Sequence, residues 1–313
     1  MLDVRKLRLL HELKVRGTVT GVAEALSYSP SSVSQQLAAL ERESGVRLLV
    51  KAGRRVQLTP QAEILVGHTS DILDRLENAE AELAASLTTV AGVVRVAVFQ
   101  SAAHAVVPSA LSILATEFPD LRVEITERAP ELGLFEVSAR DFDLVIAEQY
   151  PGSTRVLRAD LDRVQLATDP IRLASSATAD ARIAATSLAA TAALPWVMEP
   201  EGTAARTWAV QLCRAAGFEP DVRYETADLV AHIRLISSGN AVGLLPDLVW
   251  ADENPSVRLI DLPGAPERTI FTSARRTSAG RPGVVACRDA LARAVAAVQS
   301  AAESDRAGFR RTP

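Results

Sequence analysis

The period of the apolar residues changes at Ala91-Gly92, and this change constrains the fold more than any other feature of the chain. Before it, apolar residues recur every three or four positions, as they do along one face of an α-helix. After it, short apolar runs alternate with helical segments, the pattern of α/β units. A helical stripe and a buried strand cover different side-chain sets, so the 313 residues are expected to form at least two domains. Charge divides at nearly the same place. Residues 1–60 carry a net charge of +5 in a chain whose total is −4, which leaves −9 on the remainder. A basic end on an acidic body is expected of a protein that meets a polyanion with one module only, although an ordinary solvated surface gives the same count.

Several function classes drop out. Cys213 and Cys287 lie far apart, so neither a disulfide framework nor a zinc cluster is expected, and the low cysteine usage fits a reducing cytoplasm. No Gly-x-Ser-x-Gly, phosphate loop or dinucleotide fingerprint occurs, and His11, His68, His104 and His232 are scattered. No catalytic residue, metal or cofactor is therefore expected, and of the histidines only His104 is kept as a ligand candidate. The 21 uncharged residues from Val96 to Thr116 include Gln100, Ser101, His104 and Pro108, which suits a core segment rather than a membrane span. The opening Met1-Leu2-Asp3-Val4-Arg5-Lys6 lacks the continuous apolar stretch of a secretory signal, so a cytoplasmic protein is expected.

Within the first sixty residues Val4, Leu7, Leu10 and Leu13 mark one amphipathic helix, stopped by Gly17. Thr20 is read as the cap of a second, with Val22, Ala23 and Leu26 turned inward. Ser29-Pro30 gives an N-cap and first-turn proline for a third, whose core stripe is Val33, Leu37 and Leu40. The outward face of that helix carries Ser31, Ser34, Gln35 and Ala38 where a solvated helix normally carries Lys and Glu. Short hydroxyl and amide side chains are suited to base edges in a major groove. Two extended runs, 48–51 and 55–58, flank Ala52-Gly53-Arg54 as a hairpin wing that carries Lys51, Arg54 and Arg55 toward phosphates. Together these elements form a winged helix-turn-helix over residues 1–59, with Thr20, Pro30, Ser31, Ser32, Ser34, Gln35, Lys51, Arg54 and Arg55 as candidate contacts to double-stranded DNA.

This stretch resembles the LysR-type transcriptional regulators. The resemblance rests on Val22-Ala23-Glu24-Ala25-Leu26, Ser29-Pro30-Ser31-Ser32-Val33-Ser34-Gln35-Gln36-Leu37, Gly45-Val46 and Gly53-Arg54-Arg55-Val56-Gln57-Leu58-Thr59. The family often has Gln-Pro where Pro30-Ser31 stands, Arg at Gln35, and Phe-Glu-Arg at Leu49-Val50-Lys51, departures that bear on base preference. Thr59-Pro60 then opens a helix over 60–90, with Leu65, Thr69, Ile72, Leu76, Ala79 and Leu83 at heptad spacing. A lone amphipathic helix packed on its own body gives the same spacing. The resemblance implies a linker through which subunits pair as a homodimer or homotetramer, and makes RNA polymerase a candidate partner.

Residues 91–303 read as strands and helices in alternation, hence mostly parallel sheets covered on both faces. Phe118-Pro119-Asp120-Leu121, Phe142-Asp143-Leu144-Val145-Ile146 and Ser238-Gly239-Asn240-Ala241-Val242-Gly243 resemble the family's effector domain. That resemblance implies a two-lobed, periplasmic-binding-protein-like fold, lobe one being 93–165 with 268–300 and lobe two 166–267, followed by a flexible tail over 304–313. Ligands of open α/β sheets sit at the carboxyl ends of strands. That rule selects Phe99, Gln100, Ser101, Glu148, Glu199, Gly202, Thr203 and Thr226 as effector-binding candidates, any of which also suits a cap or a solvated loop. The glutamates suggest a small-molecule effector with a cationic group, whereas Arg206 or Arg275 in the cleft would favour an anion. A solute-binding or catalytic α/β protein dimerised by its N-terminal helices is the competing reading, and it predicts a plainly charged third helix.

Overall fold

A computed structural model describes residues 2–52, 55–153, 158–178, 183, 185–251 and 253–309. It divides into two compact units, one of residues 1–88 with 139–141 and 276–282, the other of 89–138, 142–275 and 283–313.

In the first unit, helices α1 (Val4–Arg16), α2 (Val19–Ala25) and α3 (Pro30–Ser44) precede the antiparallel hairpin β1 (Leu49–Ala52) and β2 (Arg55–Leu58), and α4 (Pro60–Ala85) closes it. The expected stops and starts are in place. Gly17 ends α1 at φ 73°, Ser29 accepts the Ser32 N–H at 3.1 Å ahead of Pro30, and Thr59 accepts the Ala62 N–H at 3.2 Å ahead of Pro60. The second helix starts earlier than expected. Thr18, not Thr20, is its N-cap, accepting the Gly21 N–H at 3.0 Å, because Val19 must sit in the first turn to pack against the core. Leu7, Leu10 and Leu13 are buried as expected, joined by Leu9, whereas Val4 stays exposed. Val33, Leu37 and Leu40 are at most 2% exposed, and each such leucine contributes about 2 kcal/mol of apolar burial. The Glu41 carboxylate accepts the Leu48 and Leu49 N–H groups at 2.9 and 3.0 Å and so ties the base of the wing to α3.

The second unit contains β3 (Gly92–Val98), α5 (Gln100–Ala105), α6 (Val107–Glu117), β4 (Leu121–Glu127), α7 (Pro130–Ser138), β5 (Leu144–Gln149) and β6 (Val164–Ser175). It continues with β7 (Pro195–Met198), α8 (Ala204–Ala215), β8 (Asp221–Glu225), α9 (Leu229–Ser237), β9 (Gly243–Pro246), β10 (Arg258–Ile260), β11 (Glu267–Ser273) and α10 (Pro282–Phe309). The main sheet runs β10-β6-β11-β5-β3-β4, with β9 also on β6, and β7 pairs β8 separately.

The sheets are mixed rather than mostly parallel. The β3–β4, β3–β5 and β7–β8 pairs are parallel, but β11 runs antiparallel to both β5 and β6, and β6 antiparallel to β9 and β10. The antiparallel pairs arise because β6 leaves lobe one and β11 re-enters it. Strand β6 pairs β11 as far as Pro170, then β9 from Ile171 and β10 from Leu173, so one strand serves both lobes. The crossing expected near 165 falls inside β6, whose change of partner comes at Pro170–Ile171, and β11 begins at Glu267. At the other end of the chain α10 runs to Phe309, past the expected start of a tail at 304, because Ala301-Ala302-Glu303 continues a helix-favouring run; residues 310–313 lie outside the described residues.

Candidate functional site

The N-terminal turns of α3 present Pro30, Ser31, Ser34 and Gln35 to solvent, opposite its buried stripe. No acidic residue occupies the first turn, so the partial positive charge of the helix end is not neutralised there. Ser34 donates back to the Pro30 carbonyl at 2.9 Å and Ser31 shares a 3.0 Å bond with Ser29, which leaves hydroxyl lone pairs outward. Ser32 is half-buried and accepts from the Gln36 amide at 3.3 Å, so it shapes the helix rather than the face. Thr20 is exposed in the first turn of α2. Arg42, Arg47 and Lys51 are exposed, while Lys6 and Lys14 are already paired with Glu43 and Glu63. Arg54 lies outside the described residues, as does the side chain of Arg55.

In the second unit, parallel β3 and β5 deliver their carboxyl ends to one edge, and there Arg268 dominates. It is 2% exposed at the start of β11, and its guanidinium donates to Asp169 at 2.8 and 2.6 Å, to Glu148, and to the Ser101 hydroxyl at 2.7 Å. The Phe99 ring lies 5.2 Å from its Cζ. Burial opposes the charge of Arg268, but Glu148 and Asp169 hold its pKa above the ordinary value; burial pushes Asp169 up against the pull of Arg268. Phe99, Ser101 and Glu148 are thus brought together, but around a side chain that sequence reasoning overlooked. The available signal was slight: an arginine two residues ahead of the apolar pair Ile270-Phe271.

Beside this cluster a cavity of about 40 Å³ is lined by Tyr150, Trp196, Met198, Glu199, Arg206, Trp208, His232 and Arg268, among others. Glu199 is therefore a wall residue. Burial, reinforced by the nearby Glu148 charge, pushes its carboxyl up to about 7. Tyr150 and Trp208 stack at 5.5 Å with a 36° tilt. Arg206 is committed to Glu225 at 3.5 Å and to the Glu199 carbonyl at 3.1 Å. Arg275 is buried elsewhere, donating to the Val137 and Phe142 carbonyls at 2.6 and 2.7 Å.

The remaining candidates do not line the cavity themselves, although the Thr226 carbonyl meets the ring of the wall residue His232 at 2.8 Å. Thr203 caps α8, accepting the Arg206 N–H at 3.2 Å. Gly202 is exposed at φ 89°, and the Thr226 hydroxyl accepts the Asp228 N–H at 3.1 Å in a local turn. Gln100 reaches across instead. Its amide nitrogen donates to Asp228 at 3.2 Å and its oxygen accepts the Leu229 N–H at 2.8 Å. His104, exposed in α5, is not among the residues lining the cavity. No cluster of three or more metal-ligating side chains occurs, and no helix is long and apolar enough to cross a membrane, among the described residues.

Comparison with known proteins covers both units. Residues 4–63 match the family described as bacterial regulatory helix-turn-helix protein, lysR family, and residues 87–296 match the LysR substrate binding domain. The transcriptional dual regulator GltC of Bacillus subtilis (strain 168) is 28% identical over 255 residues, 81% of this chain and 84% of that protein. A probable hydrogen peroxide-inducible genes activator of Mycobacterium avium is 30% identical over 231 residues, 72% of each chain. Among solved structures, a full-length OxyR cysteine variant from Pseudomonas aeruginosa superposes with a TM-score of 0.66 at 17% identity, covering 93% of this chain and 95% of that one. Full-length CbnR in complex with its target DNA gives 0.53 at 20% identity over 94% and 100%.

Proposed function

The chain belongs to the LysR family of transcriptional regulators, and we propose that it reads its operator with the exposed face of α3 and answers to a small molecule held at the Glu199 cavity. It is a DNA-binding regulator with an effector domain. The observation that carries the reading of α3 is its two-faced build: a stripe at most 2% exposed behind, and Ser31, Ser34 and Gln35 in front without a charged residue among them. That face argues against the competing solute-binding or enzymatic reading. Two copies pairing through α4 supply two half-sites spaced by whole turns of DNA, since one such module covers few bases. Such work places the protein with the chromosome in the cytoplasm.

The test is footprinting on the DNA beside its own gene, as a function of salt and against unrelated DNA. A protected site with a steep salt slope is expected, and equal weak binding to both DNAs opposes the reading. Lys51→Ala is expected to weaken binding to all sequences alike and to reduce the salt slope by about one. Gln35→Ala is expected to change base preference by roughly 1–3 kcal/mol at one position.

Although some relatives are named for hydrogen peroxide, both cysteines here are buried, and burial pushes their thiols up to about 12. A sensing thiol has to be an accessible thiolate. Peroxide treatment is therefore expected to leave the footprint unchanged, and a shift abolished by Cys213→Ser or Cys287→Ser would sink the ligand-bound mode of control.

A further inference from the structure

We propose that the cavity between Glu199, His232, Tyr150 and Trp208 receives a primary ammonium group carried by a small effector, its charge set against the Glu199 carboxylate and one N–H donated to Nδ1 of His232. The inference rests on the reading of this cavity as the effector site and names the chemistry of its ligand. Three independent observations converge.

The first is a missing donor. His232 is 3% exposed, and its Nε2 lies 2.8 Å from the Thr226 carbonyl, which can only accept, so the proton of the ring sits on Nε2. Burial lowers the pKa of His232 and keeps the ring neutral. Its Nδ1 is then a lone pair, buried and without a partner among the described residues. A carboxylate ligand has nothing to donate to it; an ammonium does.

The second is charge. Arg268 is held by two carboxylates, Glu148 and Asp169, and Arg206 by Glu225. Glu199 makes no ion pair among the described residues, and the nearby Arg268 charge lowers its carboxyl less than burial raises it. The cavity wall therefore carries uncompensated negative charge whenever Glu199 is ionised, and both cations that could have favoured an anion are occupied. The third is the wall itself: the aromatic residues Tyr150 and Trp208 line it, and aromatic rings attract a cation and tolerate a short alkyl chain equally. At about 40 Å³ the cavity suits a small head group.

The test uses the full chain and three probes of nearly the same shape. Thermal unfolding is followed at about pH 8 with about 50 mM propylammonium, 1-propanol or propionate, ionic strength being matched with sodium chloride. Propylammonium is expected to raise Tm by about 2–4 °C, the other two to have little effect. The rise is expected to vanish in Glu199→Gln and to shrink in His232→Phe, each first shown by circular dichroism to be folded. A rise with propionate, an equal rise with 1-propanol, no rise with propylammonium, or a rise that survives in Glu199→Gln overturns the proposal. Footprinting on the same preparation separates the two failures: a protein that footprints without the rise refutes the ammonium alone, and one that shows the rise without a footprint refutes the regulator reading.

Discussion

The carboxyl of Glu199 is pushed by burial from its ordinary 4.5 up to about 7, so the folded state binds this proton more tightly than the unfolded chain. Stability from this group is complete below about pH 4.5 and is lost as pH rises through about 7. Glu199→Gln keeps the shape and removes the titration. It is expected to be more stable than the parent by on the order of 1–3 kcal/mol at about pH 8, the difference closing toward pH 4.5, in urea unfolding across that range. Identical pH profiles for the two proteins would refute the burial argument. Glu199 itself was legible in the sequence, because it follows the apolar run Trp196-Val197-Met198 and strand ends collect ligands. Arg268 was not. A charge opening a strand reads as solvated, and only the fold places Glu148, Asp169 and Ser101 around it from distances of 120, 99 and 167 residues.

At the level of elements, α4 divides its apolar surface. Ala62, Val66 and Thr69 are buried, and Leu65 and Ile72 pack partly against the core of the first unit, whereas Leu76 and Leu83 remain 49% and 69% exposed. The heptad seam expected from the sequence is therefore a packing face in its first turns and a free face in its last ones. Leu83→Glu, alone and with Leu76→Glu, is expected to turn a dimer into a monomer by sedimentation and to weaken operator binding by tenfold or more, with little change in the unfolding temperature. Dimers that persist in the double variant would exclude this face. Caps and prolines made most elements legible, since Ser29-Pro30 and Thr59-Pro60 act within one turn of chain. The same local chemistry concealed β6. Asp169-Pro170 breaks the apolar run of that strand, and a proline counts against a strand until the change of partner beside it is visible.

Across the whole second unit, Gln100 joins the residues assigned to lobe one to the start of α9 in lobe two through Asp228 and Leu229. Strands β6 and β11 cross between the lobes, and this pair of bonds adds a direct side-chain contact across them, one residue from the Ser101–Arg268 bond. Gln100→Ala is expected to raise amide exchange at the first turn of α9 severalfold, without changing exchange in β3 or β5, and uniform exchange rates in both proteins would remove the clasp from the account. The sequence by itself determined the two-part organisation, the winged module with the small polar face of α3, and the edge of the sheet where a ligand is expected. Those features depend on periodicity, caps and strand ends, which operate over a few residues. The tertiary structure decided the mixed strand directions, the buried arginine and its carboxylates, the orphan nitrogen of His232 and the division of α4. Each depends on which side chains meet across a hundred residues of chain, and on how completely burial then removes them from water.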